Sequence, residues 1–108
     1  MIDLKNYYSE VPKVEGFVTL PPANLLINLS VYECTLLHQL LSFKNPDKVS
    51  QAQILKTFQM DKKLFKKYVR KLAIKNVIDF TPGGRKTERG NKMYIQINKP
   101  SHWFKPTI

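Results

Sequence analysis

Apolar residues recur along this chain with two periods, and the change between them divides it. Between residues 30 and 75 they return every three or four positions, the spacing of one helix face. Between residues 77 and 98 they return every second position, the spacing of a strand with one buried side. Ser30-Val31-Tyr32-Glu33 opens the helical part as a capping box, in which the serine hydroxyl accepts from the Glu33 amide and the carboxylate returns to the serine amide. Cys34, Leu37 and Leu41 then share one face, with Leu36, Leu40 and Phe43 on the adjoining one, and Asn45-Pro46-Asp47 ends this helix. Ser50-Gln51-Ala52-Gln53 repeats the box before a short helix that buries Ile54, Leu55 and Phe58. Only Gln59-Met60-Asp61 separates it from a third helix, predicted over residues 62–75 with Asp61 as N-cap. A connection that short is that of a helix-turn-helix.

The third helix turns Phe65, Val69 and Leu72 inward, flanked by Leu64 and Tyr68, and leaves Lys62, Lys63, Lys66, Lys67, Arg70 and Lys71 outside. Asn76 is predicted as its left-handed C-cap. Residues 77–81 and 91–98 then alternate as two strands, with Ile78 and Phe80 facing Met93, Ile95 and Ile97. Pro82 and three glycines (Gly83, Gly84 and Gly90) join them as a hairpin with a basic tip. The expected fold is α+β: a winged helix-turn-helix with a three-helix core, a β-hairpin wing and extended N- and C-terminal arms. It fills residues 1–108 as one domain, with an arm or short strand over 1–29, the core over 30–98 and a tail over 99–108. In the first part Val14, Phe17, Val18 and Leu20 form a β-prone run that stops at Pro21-Pro22, and Leu25-Leu26-Ile27 is a second apolar patch. The tail carries His102-Trp103-Phe104 between Pro100 and Pro106, and two prolines resist regular structure.

Length and composition agree with this reading. A chain of 108 residues, 43% hydrophobic, can bury a core without disulfides or metal as props. One cysteine, Cys34, and two histidines provide neither an internal disulfide nor a four-ligand zinc site, so a cytoplasmic protein without cofactor or metal is expected. No targeting segment and no long apolar run marks it for export or a membrane. Gly83-Gly84-Arg85-Lys86-Thr87 resembles the end of a phosphate-binding loop, yet Arg85 stands where that loop requires a glycine immediately before its lysine. The carboxylates are scattered and no nucleophile motif is present, so no enzyme is expected.

Charge changes the picture most. Residues 1–60 hold five basic and five acidic side chains, whereas residues 61–108 hold thirteen and three, so the whole net charge of +10 sits in the second half. Such an asymmetry suits a polyanion. A lysine-rich helix is commonly no more than a solvated one. The second helix of a helix-turn-helix, however, is the one laid against nucleic acid. Lys62, Lys63, Lys66, Lys67, Arg70 and Lys71 are therefore candidate contacts, joined by Arg85, Lys86, Arg89 and Lys92 of the hairpin. Lysine acts on phosphate as a point charge, while readout of base edges favours Arg, Asn and Gln, so sequence specificity should be low. Aromatics among cations hold single strands by stacking, and Tyr94, opposite Ile95 on its strand, is the candidate stacker. Trp103 and Phe104 either pack the tail onto the domain or offer a stacking or partner-docking surface. DNA is the expected partner, single strands favoured over duplex, with self-association open. The alternatives are a sequence-specific duplex repressor or origin-binding protein, and an interaction module working through the tail. An anionic membrane is disfavoured because the basic helix uses its apolar face for the core.

The stretch from Ser50 to Asn98, with its SxxQ cap, QMD turn, Lys-Asn-Val-Ile exit and glycine-rich wing, resembles the winged-helix replication proteins of phages, plasmids and mobile elements. It is most similar to the small winged-helix single-stranded-DNA-binding proteins of staphylococcal cassette chromosome elements. The resemblance implies a role in replication or mobilisation of such an element beside a helicase or polymerase. It also implies that Lys62, Lys63, Lys66, Lys67, Arg70 and the wing cations form the nucleic-acid surface. The nearly all-lysine face departs from sequence-specific winged helices.

Overall fold

Local signals placed the helices of the middle of the chain, and the N-cap side chains accept as expected, but only the first of the two predicted capping boxes is reciprocal; at Ser50 the return bond to the Gln53 side chain is not made. In the computed structural model, which describes residues 1–81 and 93–105, Ser30 Oγ accepts from the Glu33 amide at 3.2 Å and the Glu33 carboxylate accepts from the Ser30 amide at 3.5 Å. Ser50 accepts from the Gln53 amide at 3.2 Å, and Asp61 accepts from the Lys63 amide at 3.3 Å. These caps open three helices: α3 (Val31–Leu41), α4 (Gln51–Thr57) and α5 (Lys62–Ile74). Helix α3 stops before Asn45, so Phe43 lies beyond its end, where its ring meets Phe58 with centroids 5.3 Å apart. Pro46 itself starts a 3-10 turn over Pro46–Lys48.

Helices α4 and α5 end alike. Gln59 and Asn76 take left-handed conformations, with φ of 50° and 62°. The amide after each reaches back five residues, Met60 to Leu55 and Val77 to Leu72, both at 3.0 Å. This is the Schellman arrangement, in which terminal carbonyls find donors and the chain reverses. Asn tolerates that backbone well; Gln59 holds it without that advantage.

The predicted strand pairing is present. Strands β2 (Ile78–Thr81) and β3 (Tyr94–Ile97) are antiparallel, with Ile78 opposite Ile97 and Phe80 opposite Ile95. A third strand, β1 (Ile2–Asp3), runs parallel to β3 with Ile2 opposite Ile95, making β3 the centre of the order β1-β3-β2. Two more short helices, α1 (Lys5–Tyr8) and α2 (Ala23–Leu26), precede α3. Among the described residues the chain is thus an α+β fold of five α-helices and a three-stranded sheet. Phe65, Val69 and Leu72 of α5 meet Leu36, Leu37 and Leu40 of α3, Ile54 of α4 and the inner face of the sheet in one buried core.

The ends depart from expectation. Residues 1–29 are not an extended arm, because Ile2, Tyr7, Val11 and Leu29 are buried in that core. No strand forms over residues 14–20, where Val14, Phe17 and Leu20 are exposed. The segment instead closes a turn, Phe17 N to Val14 O at 3.2 Å, with Gly16 at φ 83°. Positive φ at the third position of such a turn calls for glycine. Tyr7 Oη donates to Thr19 O at 2.6 Å and fixes the loop over α1; burial pushes the Tyr7 phenol well above its ordinary value, so it stays a donor.

The tail also folds back. Pro100 begins a 3-10 turn (Pro100–His102), since a proline loses nothing at the first position of a helical turn. Trp103 is 4% exposed, stacks on Tyr7 at 6.4 Å and donates from Nε1 to Asn98 O at 3.0 Å. Asn76 Nδ2 donates to His102 O at 2.7 Å, Asn98 Nδ2 to Asn76 O at 3.0 Å and the Phe104 amide to Lys75 O at 2.6 Å. Residues 99–105 are thus tied to the end of α5 in both directions: the Phe104 amide donates to the Lys75 carbonyl, which a helix leaves open, and His102 O accepts from the Asn76 side chain.

Candidate functional site

Helix α5 has two unlike sides. At about 100° per residue, Lys63, Lys67, Arg70 and Lys71 fall in an arc of roughly 100° opposite Phe65, Val69 and Leu72. All four are exposed, as is Lys62, while Lys66 is half-buried on one flank. Lys62/Lys66, Lys63/Lys67, Lys66/Arg70 and Lys67/Lys71 are like-charged i,i+4 pairs, each unfavourable by ~0.2–0.5 kcal/mol. Lys62 and Lys63 also stand in the first turn, where the helix dipole disfavours cations. Among the described residues none of these six makes an ion pair. The face is a dense array of positive charge held at fixed spacing by a helix whose other side is locked in the core.

The one ion pair among the described residues lies at the far end of α5. Lys75 Nζ donates to both Glu33 carboxylate oxygens at 2.9 and 2.8 Å, and to Asn28 O at 3.3 Å. Glu33 is 2% exposed. Burial works to raise its carboxyl, but the Lys75 and Ser30 hydrogen bonds outweigh this and hold it below the ordinary glutamate value. Sequence reasoning read Glu33 only as a cap; the same carboxylate also ties α3 to α5.

Beside the cationic arc, Tyr68 is half-buried on the flank toward α3 and stacks on Tyr32, with centroids 5.3 Å apart and planes 23° from parallel. The Lys67 and Lys71 ammonium groups lie 5.7 and 5.4 Å from the Tyr68 centroid, within cation-π range. Tyr32, at the second position of α3, was not singled out by sequence. Its exposure at the outer edge of an amphipathic pattern was the one available signal.

The remaining candidates separate. Tyr94 does lie opposite Ile95, but it is half-buried: its hydroxyl donates to Asp3 Oδ2 at 3.0 Å, with Gln96 Oε1 at 3.2 Å. Burial and then the Asp3 hydrogen bond push its phenol up. It is therefore a brace between β1 and β3 rather than the exposed stacker expected. Trp103 packs inside instead of presenting a docking surface, and Phe104, half-buried at φ 63°, meets Trp103 edge to face at 6.4 Å. Arg85, Lys86, Arg89 and Lys92 lie outside the described residues.

Among the described residues no cluster of His, Cys, Asp and Glu could hold a metal ion, and no helix is long and apolar enough to cross a membrane. No protein-family model, curated protein or solved structure matches the chain.

Proposed function

We propose that this chain is a non-enzymatic, winged-helix DNA-binding protein of low sequence specificity. It favours single strands and serves in the cytoplasm as an accessory to replication or mobilisation of a mobile element, beside a helicase or polymerase. The observation that carries this reading is the charge on α5: four cations in one exposed arc with Lys66 and Lys62 beside it, five of the six lysine, without an acidic partner among the described residues. Phosphates at the spacing of a nucleic-acid backbone relieve that repulsion and release their counterions. The order α3, α4, turn, α5, β2, β3 is compatible with a winged helix, whose second turn-linked helix faces the nucleic acid. Lysine ammonium groups report charge more than base identity, which supports low specificity.

Replacing Lys66, Lys67 and Arg70 together by alanine, and titrating random single-stranded and duplex DNA over a range of salt, tests the reading. Five or six phosphate contacts on a single strand give a slope of log affinity against log salt near −4, and losing three of them brings it to about −2. Unchanged isotherms, or binding by the parent protein that ignores salt, would overturn the assignment. A preference of roughly a thousandfold for one duplex sequence over random duplex would replace it with an operator-type function.

A further inference from the structure

We infer that Tyr32 and Tyr68 form a base-stacking platform, with the open face of Tyr32 as the surface on which an unpaired nucleobase lies. This rests on the nucleic-acid reading of α5 and adds to it the residue that would distinguish a strand with exposed bases from backbone alone.

The Tyr32 side of the platform is open to solvent. Tyr32 is 66% exposed, and its partner in the stack, Tyr68, is the half-buried member rooted on α5. An exposed ring gains little for the fold; a ring held by a neighbour is instead pre-organised for a third planar group, since its orientation no longer has to be fixed on binding. The platform is cationic as well. Lys67 and Lys71 reach the Tyr68 ring and belong to the same arc as Lys63 and Arg70, so the phosphates flanking a stacked base meet ammonium groups one helical turn apart. The acid next in sequence to Tyr32 does not oppose this, because the Glu33 charge is buried and neutralised by Lys75. Tyr94, the stacker expected from the sequence, has its hydroxyl engaged across the sheet.

The test compares Tyr32→Ala, Tyr32→Phe and the parent protein on two probes of equal length at fixed salt: an oligothymidylate, and the same sugar-phosphate chain with abasic sites throughout. Because Tyr32 is largely exposed, its truncation leaves the core intact, and thermal melting confirms this. The expected result is a loss of about 5- to 150-fold on the oligothymidylate for Tyr32→Ala, the span of one stacked base. Recovery in Tyr32→Phe and no change on the abasic chain complete the pattern. Equal losses on both probes, or none, would overturn the platform while leaving the α5 surface standing. A parent protein that binds neither probe would overturn both readings.

Discussion

Helices α3 and α5 lie against each other, are capped by the same kind of bond and bury stripes of similar size, yet their outer faces are opposites. Helix α3 places a carboxylate, Glu33, in its first turn, where it both caps and suits the dipole, and its outward residues Val31, Tyr32, Thr35 and His38 include no Lys or Arg. Helix α5 has no acid in its first turn, begins with two lysines and then stacks four like-charged pairs on the exposed side. Every local term that stabilises α3 is present, and several available to α5 are reversed. Local helix energetics do not account for the charge on that surface, which serves either solvation or a contact. The proposed anion contact takes the second course.

If the inner side of α5 is what permits the strained outer side, damage to its anchors should far exceed any change to the cations. Trp103 is the most distant of these anchors in sequence, holding Asn98, which in turn holds Asn76 at the end of α5. Trp103→Ala is expected to cost about 3–5 kcal/mol, as truncation of a buried aromatic does, and urea unfolding measures it. Stability equal to the parent would show that the tail is no part of the α5 anchor and would reopen its reading as a docking arm.

The bond between the two helices is the next largest effect. Glu33→Gln keeps the shape but removes the charge facing Lys75; since Lys75 is about one-third exposed, the cost is expected near 1–2 kcal/mol rather than that of a fully buried pair. Its pH dependence carries a definite sign. The folded carboxyl titrates below the unfolded one, so the unfolded chain takes up the proton first as pH falls. The stabilisation is complete above the ordinary glutamate value of about 4.3 and is lost as pH drops through the lower folded value. Melting temperatures from pH 7 to 2.5 should therefore converge for parent and variant at the acid end. A constant gap across that range would mean that the pair contributes no charge-dependent stability.

What was legible in the sequence was what a few neighbouring residues decide. Ser30, Asp61 and Asn76 cap helices through atoms at most five residues away, and the pairing of β2 with β3 follows from the alternation within each strand. The misread parts depend on distant partners. Strand β1 is two residues long, too short for any period, and exists because β3, over ninety residues later, offers its edge to Ile2 and Asp3. That same strand brings Asp3 to Tyr94 and converts a correctly placed outward tyrosine into a brace. Glu33 meets Lys75 across 42 residues, and Tyr32 meets Tyr68 through the packing of α3 on α5, so neither pairing leaves a mark within one helix. Pro100 and Pro106 suggested an irregular tail, yet a proline at the head of a 3-10 turn and a tryptophan with a buried acceptor were enough to fold it back.

The smallest effect tests the comparison most directly, because it reverses the usual direction of a mutation. Lys62 is exposed at the first position of α5, and Lys62→Glu places a carboxylate at the positive end of the helix dipole while turning the Lys62/Lys66 repulsion into a Glu-to-Lys i,i+4 attraction. A gain of about 0.5–1 kcal/mol is expected in low salt. It should shrink in 1 M salt, where charges are screened within about 3 Å. Val31 holds the equivalent exposed position in α3, and Val31→Lys should lose a few tenths of a kcal/mol for the mirror-image reason. Denaturant midpoints of the two variants, read in low and high salt, give four values whose signs decide the matter. A stabilised α5 that binds single-stranded DNA less tightly would show charge kept against stability for the sake of the anion. A destabilised Lys62→Glu would mean that the lysines of α5 already suit the fold, and the contrast between the helices would lose its functional meaning.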